Sequence, residues 1–428
     1  MRFFLFLCVE VRYARDTTVG LAIFILLLTP VPGRGQESLS LTLPETLALA
    51  RDHHPDLLAA RQELEIARGR LVKARYFSQF NPAIGSEITD RSRGESREHG
   101  DSIDFAVTLS QEIEVAGQRG KRIDEAERNL TVATQRVRDR ERLILAQVKE
   151  SFYRALSQRR RFALFRQVED LNHRLRDVAT TRFQAGEISK LEVNLAEIQL
   201  GQARKDVLTG ERDYRNTLRE LERLLGQEPR GTVELSGQLA ATPQIFDLQT
   251  LTRLALDNRP DLQAASAEIG RIEAEMALTR RLIVPNPTVS FVYREEEKRD
   301  HITGAEIRLP LPVFDRKQAE LTQLAGRKGQ ADYERRSVEL QIRQEVGDAL
   351  RAYDTAKAEV EVFEQAVLER ATENFQLIEA AYREGQINLL QLVVVQNNLI
   401  TAQLSYIDAL TAYWQSRIAL ERATGTDL

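Results

Sequence analysis

The sequence predicts a mainly α-helical protein with a small membrane β part, organised as two internal repeats. Three observations predict it. His54-Pro55-Asp56-Leu57 returns 205 residues later as Arg259-Pro260-Asp261-Leu262, and Asn81-Pro82 returns at the same offset as Asn286-Pro287. Two long stretches, about 119–184 and 316–384, contain no proline. Between each Asn-Pro and the long stretch after it, apolar residues change from helical to alternate spacing, the period of a strand.

The repeat continues with a second offset. Phe183-Gln184-Ala185-Gly186-Glu187-Ile188 returns 199 residues later as Tyr382-Arg383-Glu384-Gly385-Gln386-Ile387, and Leu225-Gly226 returns as Thr424-Gly425. The length difference therefore lies in the middle of each half. Solenoid units repeat every 20–50 residues or so, which excludes that class. Residues 36–226 form the first repeat, 227–246 a linker with Pro229, Gly231, Gly237 and Pro243, and 247–428 the second repeat.

The N-terminus reads as a targeting segment over residues 1–35. Arg12 and Arg15 precede the uncharged run Val19–Leu28, and Pro30, Pro32 and Gly33-Arg34-Gly35 follow. A run of about ten such residues fits a secretory leader and is too short to span a bilayer as a helix. Cleavage near Gly35 would leave a mature chain from about Gln36. Residues 1–10 are an unusual apolar prefix; a start at Val11 would remove them, which peptide mapping of the precursor tests. The single cysteine, Cys8, precedes the cleavage point, so the mature chain is expected to have no disulfide and no lipid anchor.

Each half opens with a short helix and then a helix led by proline at its first position, Pro55 or Pro260, with an acid behind it facing the positive helix end. These helices are expected to reach about Phe77 and Leu282. After Asn-Pro come strands at about 82–89 and 102–110, and at about 288–293 and 303–309. Ile103, Phe105, Val107 and Leu109 alternate with Asp104, Ala106, Thr108 and Ser110; Ala305, Ile307 and Leu309 alternate with Gly304, Glu306 and Arg308. The loops 90–101 and 294–302 are charged.

The long helices, about 119–184 and 316–384, would each be on the order of 100 Å long. Their apolar positions step by four and three, as in Ile342, Val346, Ala349, Tyr353, Ala356, Val360, Phe363 and Val367, the pattern of a supercoil seam. Gly326, Gly329 and Gly347 are the weak points of the second. Each ends at a glycine turn, Gly186 or Gly385. A returning helix follows, about 189–225 or 388–424, making a coiled-coil hairpin.

An isolated two-stranded hairpin is marginal in water. A strand that is apolar on one face and polar on the other suits a membrane barrel, with lipid outside and a wet lumen inside. Four strands cannot close one, so closure requires further copies, and three copies would give four transmembrane strands each and twelve in all. The same alternation also fits a small sheet capping a helix bundle; the leader and the helix lengths favour the membrane. Tyr76, Phe77, Phe80 and Phe314 flank the strands where an interface belt would sit.

This layout of helix, two strands, long helix, glycine turn and helix, repeated once, resembles the TolC-type outer-membrane factors over nearly all of the mature chain. The segment Arg308-Leu309-Pro310-Leu311-Pro312-Val313-Phe314-Asp315-Arg316-Lys317-Gln318, with Gln111-Glu112-Ile113-Glu114-Val115-Ala116-Gly117-Gln118-Arg119-Gly120, resembles the CzcC-like branch, which serves heavy-metal and other cation pumps. The resemblance implies a homotrimeric α-barrel/β-barrel in the outer-membrane lipid with a periplasmic helical tunnel. It also implies a periplasmic adaptor (membrane fusion protein) and an inner-membrane pump of the resistance–nodulation–division (RND) type as partners. The adaptor would dock at the tips, on Gly186, Ile188 and Leu191 and on Gly385, Ile387 and Leu390; the same residues also serve simply to close the hairpins. Relatives carry acids beyond the second tip, where this chain has Gln391 and Val394. The first tip has Glu187 and Glu192, placed either at the pore entrance or on a solvated helix face.

No enzyme is expected. His53, His54, His99, His173 and His301 lack metal-ligand spacing. His53-His54 is expected to cap a helix junction, and His99 and His301 to lie in hairpin loops. Met276 is the one mature methionine, so no thioether relay exists. No phosphate-binding glycine loop, metal site or cofactor site is seen. A net charge of −4 gives no field for nucleic acid. The leading expectation is a passive export duct for heavy-metal or other cations. A drug-efflux or type I secretion channel of the same fold, or a soluble periplasmic coiled-coil scaffold, are the alternatives.

Overall fold

The structure, a computed structural model, describes residues 39–91, 102–226, 233–296 and 300–428. The expectations for the leader 1–35, Cys8 and His99 fall outside the described residues.

The short helices start where local chemistry supplies caps. Thr42 and Glu45 form a reciprocal box at the start of α1 (Leu43–His53), with Thr42 N–H donating to Glu45 Oε2 at 2.8 Å. His54 follows and starts α2 (Pro55–Ala74), its Nδ1 accepting from Asp56 N–H at 3.2 Å. Burial holds its pKa below the usual range, which keeps the ring neutral and able to accept. The second half repeats this with α5 (Leu248–Asn258), capped by Asp247, and α6 (Pro260–Arg281). Where the first half has His54, the second has buried Arg259, paired with Asp261 at 2.5 Å and with Glu345.

β2 (Ala83–Arg91) and β3 (Ser102–Glu112) belong to the first half; β5 (Thr288–Glu296) and β6 (Asp300–Arg308) belong to the second. The halves do not form two separate hairpins. β3 pairs antiparallel with β5, Leu109 opposite Phe291, giving one four-stranded sheet in the order β2-β3-β5-β6. The strands also extend beyond the expected ends. Arg294, Glu295 and Glu296 belong to β5, and His301, expected in a loop, lies in β6 opposite Glu295. Their charge marked them as loop, but charged residues are compatible with a strand that has a wet face.

The long first-half helix α3 (Gln118–Gln184) returns as α4 (Lys190–Leu224). The second-half counterpart is interrupted: α7 (Gln318–Val362) passes through a π-helical turn at Phe363–Val367 into α8 (Leu368–Arg383), which returns as α9 (Leu389–Thr424). The break comes at none of the glycines named as weak points. The wider turn sets Glu364 against Tyr406, whose hydroxyl donates to its carboxylate at 2.7 Å.

The main core sits at the waist, where α3, α7 and α9 bury Phe152, Leu156, Ile342, Val346, Tyr353, Leu410 and Tyr413. The linker 227–246 is more than a spacer. Within it, β4 (Val233–Leu235) pairs in parallel with β1 (Leu39–Leu41), and Arg159 and Arg160 donate to the carbonyls of Leu235, Gly237 and Leu239. Gly226 closes the first half at φ +64, where a Cβ would fall 2.1 Å from the His53 carbonyl oxygen; no other residue fits.

Candidate functional site

The sheet reverses the burial of a soluble protein. Its apolar side chains point outward: Ile84 is 77% exposed and Ile307 73%, and Ile88, Ile103, Phe105, Leu109 and Phe291 are also exposed. On the opposite face of the two inner strands polar side chains are covered, Asp104 and Ser290 each being 7% exposed, while Glu87 and Glu306 on the edge strands are exposed. The register explains the grouping. Ile84 faces Leu109, Leu109 faces Phe291, Ile88 faces Phe105, and Val289 faces Ile307, so one side of all four strands is apolar. The other side carries Glu87, Asp104, Arg294 and Glu296 around a shallow hollow.

Magnitudes decide what this face requires. Leaving one such side chain in water forgoes about 1.5–3 kcal/mol. Seven of them forgo on the order of 10–20 kcal/mol, comparable with a domain's whole margin of about 5–15 kcal/mol. In addition, β2 and β6 each leave one edge unpaired among the described residues. The face needs an apolar medium, and the edges need other strands.

The helices are tied to one end of this sheet by a polar junction. Gln118 Nε2 donates to Asn286 Oδ1 at 2.9 Å, and Asn286 Nδ2 donates to Glu112 Oε1 at 2.9 Å. Gln118 Oε1 also accepts from Ala116 N–H at 2.8 Å. The second half copies the entry: Gln318 Oε1 accepts from Arg316 N–H at 2.7 Å, and Asp315 Oδ1 from Lys317 N–H at 2.9 Å. Asp315 and Gln318 thus explain the Phe-Asp-Arg-Lys-Gln segment as a helix entry, with Lys317 held at φ +59.

At the far end lie the two glycine turns. Gly186 and Gly385 take φ +78 and +76, the left-handed form that lets each chain reverse. Ile188 and Ile387 pack against a small tip core of Leu175, Ala179, Tyr382, Leu389 and Leu392. Leu191 is 76% exposed and Leu390 is also exposed, so these two are the outward apolar members of the predicted set. Glu187 accepts from Arg182 Nε at 3.0 Å. Glu192 reaches across to the other tip, its Oε2 accepting from Leu389 N–H at 3.4 Å, the first residue of α9. Gln391 is engaged in a capping box with Asn388, accepting from its N–H at 3.2 Å and donating its own N–H at 3.0 Å.

Sequence reasoning missed the residues that join the tips. Arg182 donates to the Tyr382 carbonyl at 3.2 Å and lies 5.5 Å from the ring centroid. Burial raises the Tyr382 phenol above its ordinary pKa. Tyr382 is the repeat equivalent of Phe183, which is exposed; the Phe-to-Tyr difference was the one mark in the sequence. Among the described residues no cluster of acids, histidines and cysteines could hold a metal ion, and no helix is long and apolar enough to cross a membrane. The latter says nothing about a β-barrel.

A sheet with an apolar outer face, set on long helical hairpins, is the architecture of outer-membrane efflux channels. Comparisons identify the family. The outer membrane efflux protein family matches residues 46–227 and 251–426, and the chain belongs to it. It is therefore a relative of channels and not of enzymes. The cobalt-zinc-cadmium resistance protein CzcC of Cupriavidus metallidurans is 26% identical over 386 residues, 90% of each chain. The pyoverdine export outer membrane protein OpmQ of Pseudomonas aeruginosa is 24% identical over 341 residues, 76% of this chain and 70% of that one. Among solved structures, CusC has a TM-score of 0.72 at 15% identity, covering 90% of this chain and 92% of that one.

Proposed function

We propose that three copies of this chain close a twelve-stranded barrel in the outer membrane and continue as a helical tunnel into the periplasm. The outlet is passive. A periplasmic adaptor meets it at the tips, through Leu191 and Leu390 around the Gly186 and Gly385 turns, and an inner-membrane RND-type pump supplies the energy. The observation that carries this reading is the reversed burial of a four-stranded sheet with two open edges. Extraction of the protein from membranes only with detergent, as a heat-modifiable trimer, is the expected result. A monomer in the aqueous fraction would favour a periplasmic scaffold instead.

Heavy-metal or other cations are the proposed cargo, because the CzcC match spans the chain more fully than the OpmQ match. A deletion strain should become sensitive to cobalt, zinc or cadmium; sensitivity to drugs alone would move the cargo to the drug-efflux reading. Glu187, Glu192 and Gln391 stand nearest the proposed entrance, and Glu192 is the group placed to favour cations by its field. Glu192→Gln is expected to lower cation preference in single-channel recordings, and unchanged selectivity would remove that role.

A further inference from the structure

The junction between sheet and helices carries a charge imbalance that the channel function does not use. All four helix–strand connections lie at one end of the sheet, because Ala83 faces Ser110, Glu112 faces Thr288, and Thr288 faces Arg308. The carboxylates at that end already have partners. Glu112 accepts from Asn286, Glu114 pairs with Arg122, and Asp315 and Glu320 share Lys317 at 3.2 and 2.9 Å. One turn further, Glu127 pairs with Arg75 at 3.2 Å and Asp124 with Arg128 at 3.1 Å.

Six cations at the same level have no carboxylate partner among the described residues: Lys73, Arg119, Lys121, Arg280, Arg281 and Arg316. Lys73, Arg280 and Arg281 lie at the C-terminal ends of α2 and α6, where the helix dipole favours positive charge. Arg119 is accounted for in the same way, its Nε and Nη2 donating to the carbonyls of Tyr76 and Arg75 just past α2 at 3.2 and 2.9 Å. The explanation fails for the other two. Lys121 lies at the start of α3, whose first turn holds no acid, and Arg316 stands two residues before α7, its Nε reaching only the Pro312 carbonyl at 3.4 Å. Positive charge at a helix N-terminus opposes the dipole, so another interaction has to account for it.

The apolar surface supplies the second half of the argument. Tyr76, Phe77 and Phe80 leave α2, and Leu311 and Phe314 lead into α7, all exposed. They lie in the segments that join the helices to the sheet, in sequence beside the cations. Aromatic rings beside arginine and lysine are the composition of a membrane–water boundary, where rings sit among headgroups and cations meet phosphates.

We infer that this belt binds anionic phospholipid headgroups of the leaflet on the helical side of the membrane. The inference rests on the membrane reading of the sheet. The cations hold the phosphates, the rings fix the depth, and together they set how far the barrel sits in the bilayer. Glu112 is bonded only to neutral Asn286, and Asp315 and Glu320 share one lysine, so the surplus is about four positive charges per chain, enough in a trimer to make the contact salt-sensitive.

The test uses the purified full-length mature trimer in vesicles of phosphatidylcholine alone and of phosphatidylcholine mixed with phosphatidylglycerol. The expected result is a higher thermal midpoint for trimer dissociation with phosphatidylglycerol, a difference that shrinks as salt is raised. The combined variant Arg280→Gln, Arg281→Gln and Arg316→Gln should insert equally well in phosphatidylcholine and lose most of that difference. A variant losing three charges elsewhere, Arg212→Gln, Arg215→Gln and Arg383→Gln, should keep it, and Arg→Lys at the three belt positions should also keep it. A trimer that inserts and conducts but melts alike in both lipids would overturn the inference and leave the channel standing. So would a belt variant that retains the full difference. Failure to insert in either lipid would overturn the channel reading and this inference with it.

Discussion

The waist and the sheet treat the same kinds of side chain in opposite ways. At the waist Tyr353 and Tyr413 are fully buried, and their polar ends are satisfied. Tyr353 Oη accepts from Gln244 N–H at 2.9 Å, Tyr413 Oη donates to the Thr242 carbonyl at 2.8 Å, and Trp414 Nε1 donates to the Ala240 carbonyl at 3.1 Å. Tyr153 stacks on Trp414 with ring centroids 3.9 Å apart, and burial pushes its phenol up to about 12. In the sheet, Phe105, Phe291 and Tyr293 face outward, and the covered positions are Asp104, Ala106 and Ser290. The waist hides its rings from solvent and the sheet exposes them, which is what the proposed membrane barrel requires. One chain therefore carries two rules of burial, and the polar junction around Gln118 and Asn286 marks where they change.

The largest effect should come from breaking the sheet's rule. Leu109→Arg with Phe291→Arg places two like charges on directly opposed residues of the outer face. Each is expected to cost about 2–4 kcal/mol at the middle of a membrane. Membrane fractionation should show the protein lost from the membrane while circular dichroism of the soluble material keeps its helix content. Next comes the waist. Tyr353→Ala removes a fully buried ring and leaves Gln244 without its partner; a loss of about 3–5 kcal/mol is expected in denaturant unfolding. A small effect there would mean that the waist core does not hold the shaft together.

A smaller and pH-dependent effect belongs to Arg259. Burial raises the Asp261 pKa, but hydrogen bonding and charge from Arg259 lower it further, and the net shift is downward. Glu345 is shifted the same way, with burial again opposed by Arg259. A carboxylate with a depressed folded-state pKa contributes stability that is complete above the unfolded value and is lost as pH falls through the folded one. Arg259→Met should therefore cost about 2–3 kcal/mol at neutral pH, discounted because Glu345 is partly exposed. The gap between variant and parent should close below about pH 4, read by urea unfolding across pH.

Much of this contrast was legible in the sequence. Proline-free runs located the long helices, because helix breaking is a local property. Strict alternation in Ile103–Ser110 showed an apolar face and a polar face. Other features were not local. Nothing in β3 or β5 names its partner, so the joining of the halves into one sheet was not readable. The three-residue pairing of Leu39–Leu41 with Val233–Leu235 is too short to leave a pattern. The π-helical turn at Phe363–Val367 keeps the helical spacing of its apolar residues. At the tips, the glycines announced the turns, but Arg182 reaching Tyr382 is a contact between residues two hundred apart in sequence.

The most direct test labels the two faces of one strand. The chain's single cysteine is Cys8, in the expected leader, so Ile88→Cys and Glu87→Cys each supply one thiol for a fluorophore in the mature protein. In reconstituted trimer, a label at Ile88 should be quenched by brominated acyl chains and shielded from iodide. A label at Glu87 should show the reverse. Equal quenching of both by iodide, from a monomer that stays in solution without lipid, would contradict the assignment of the outer face to the membrane.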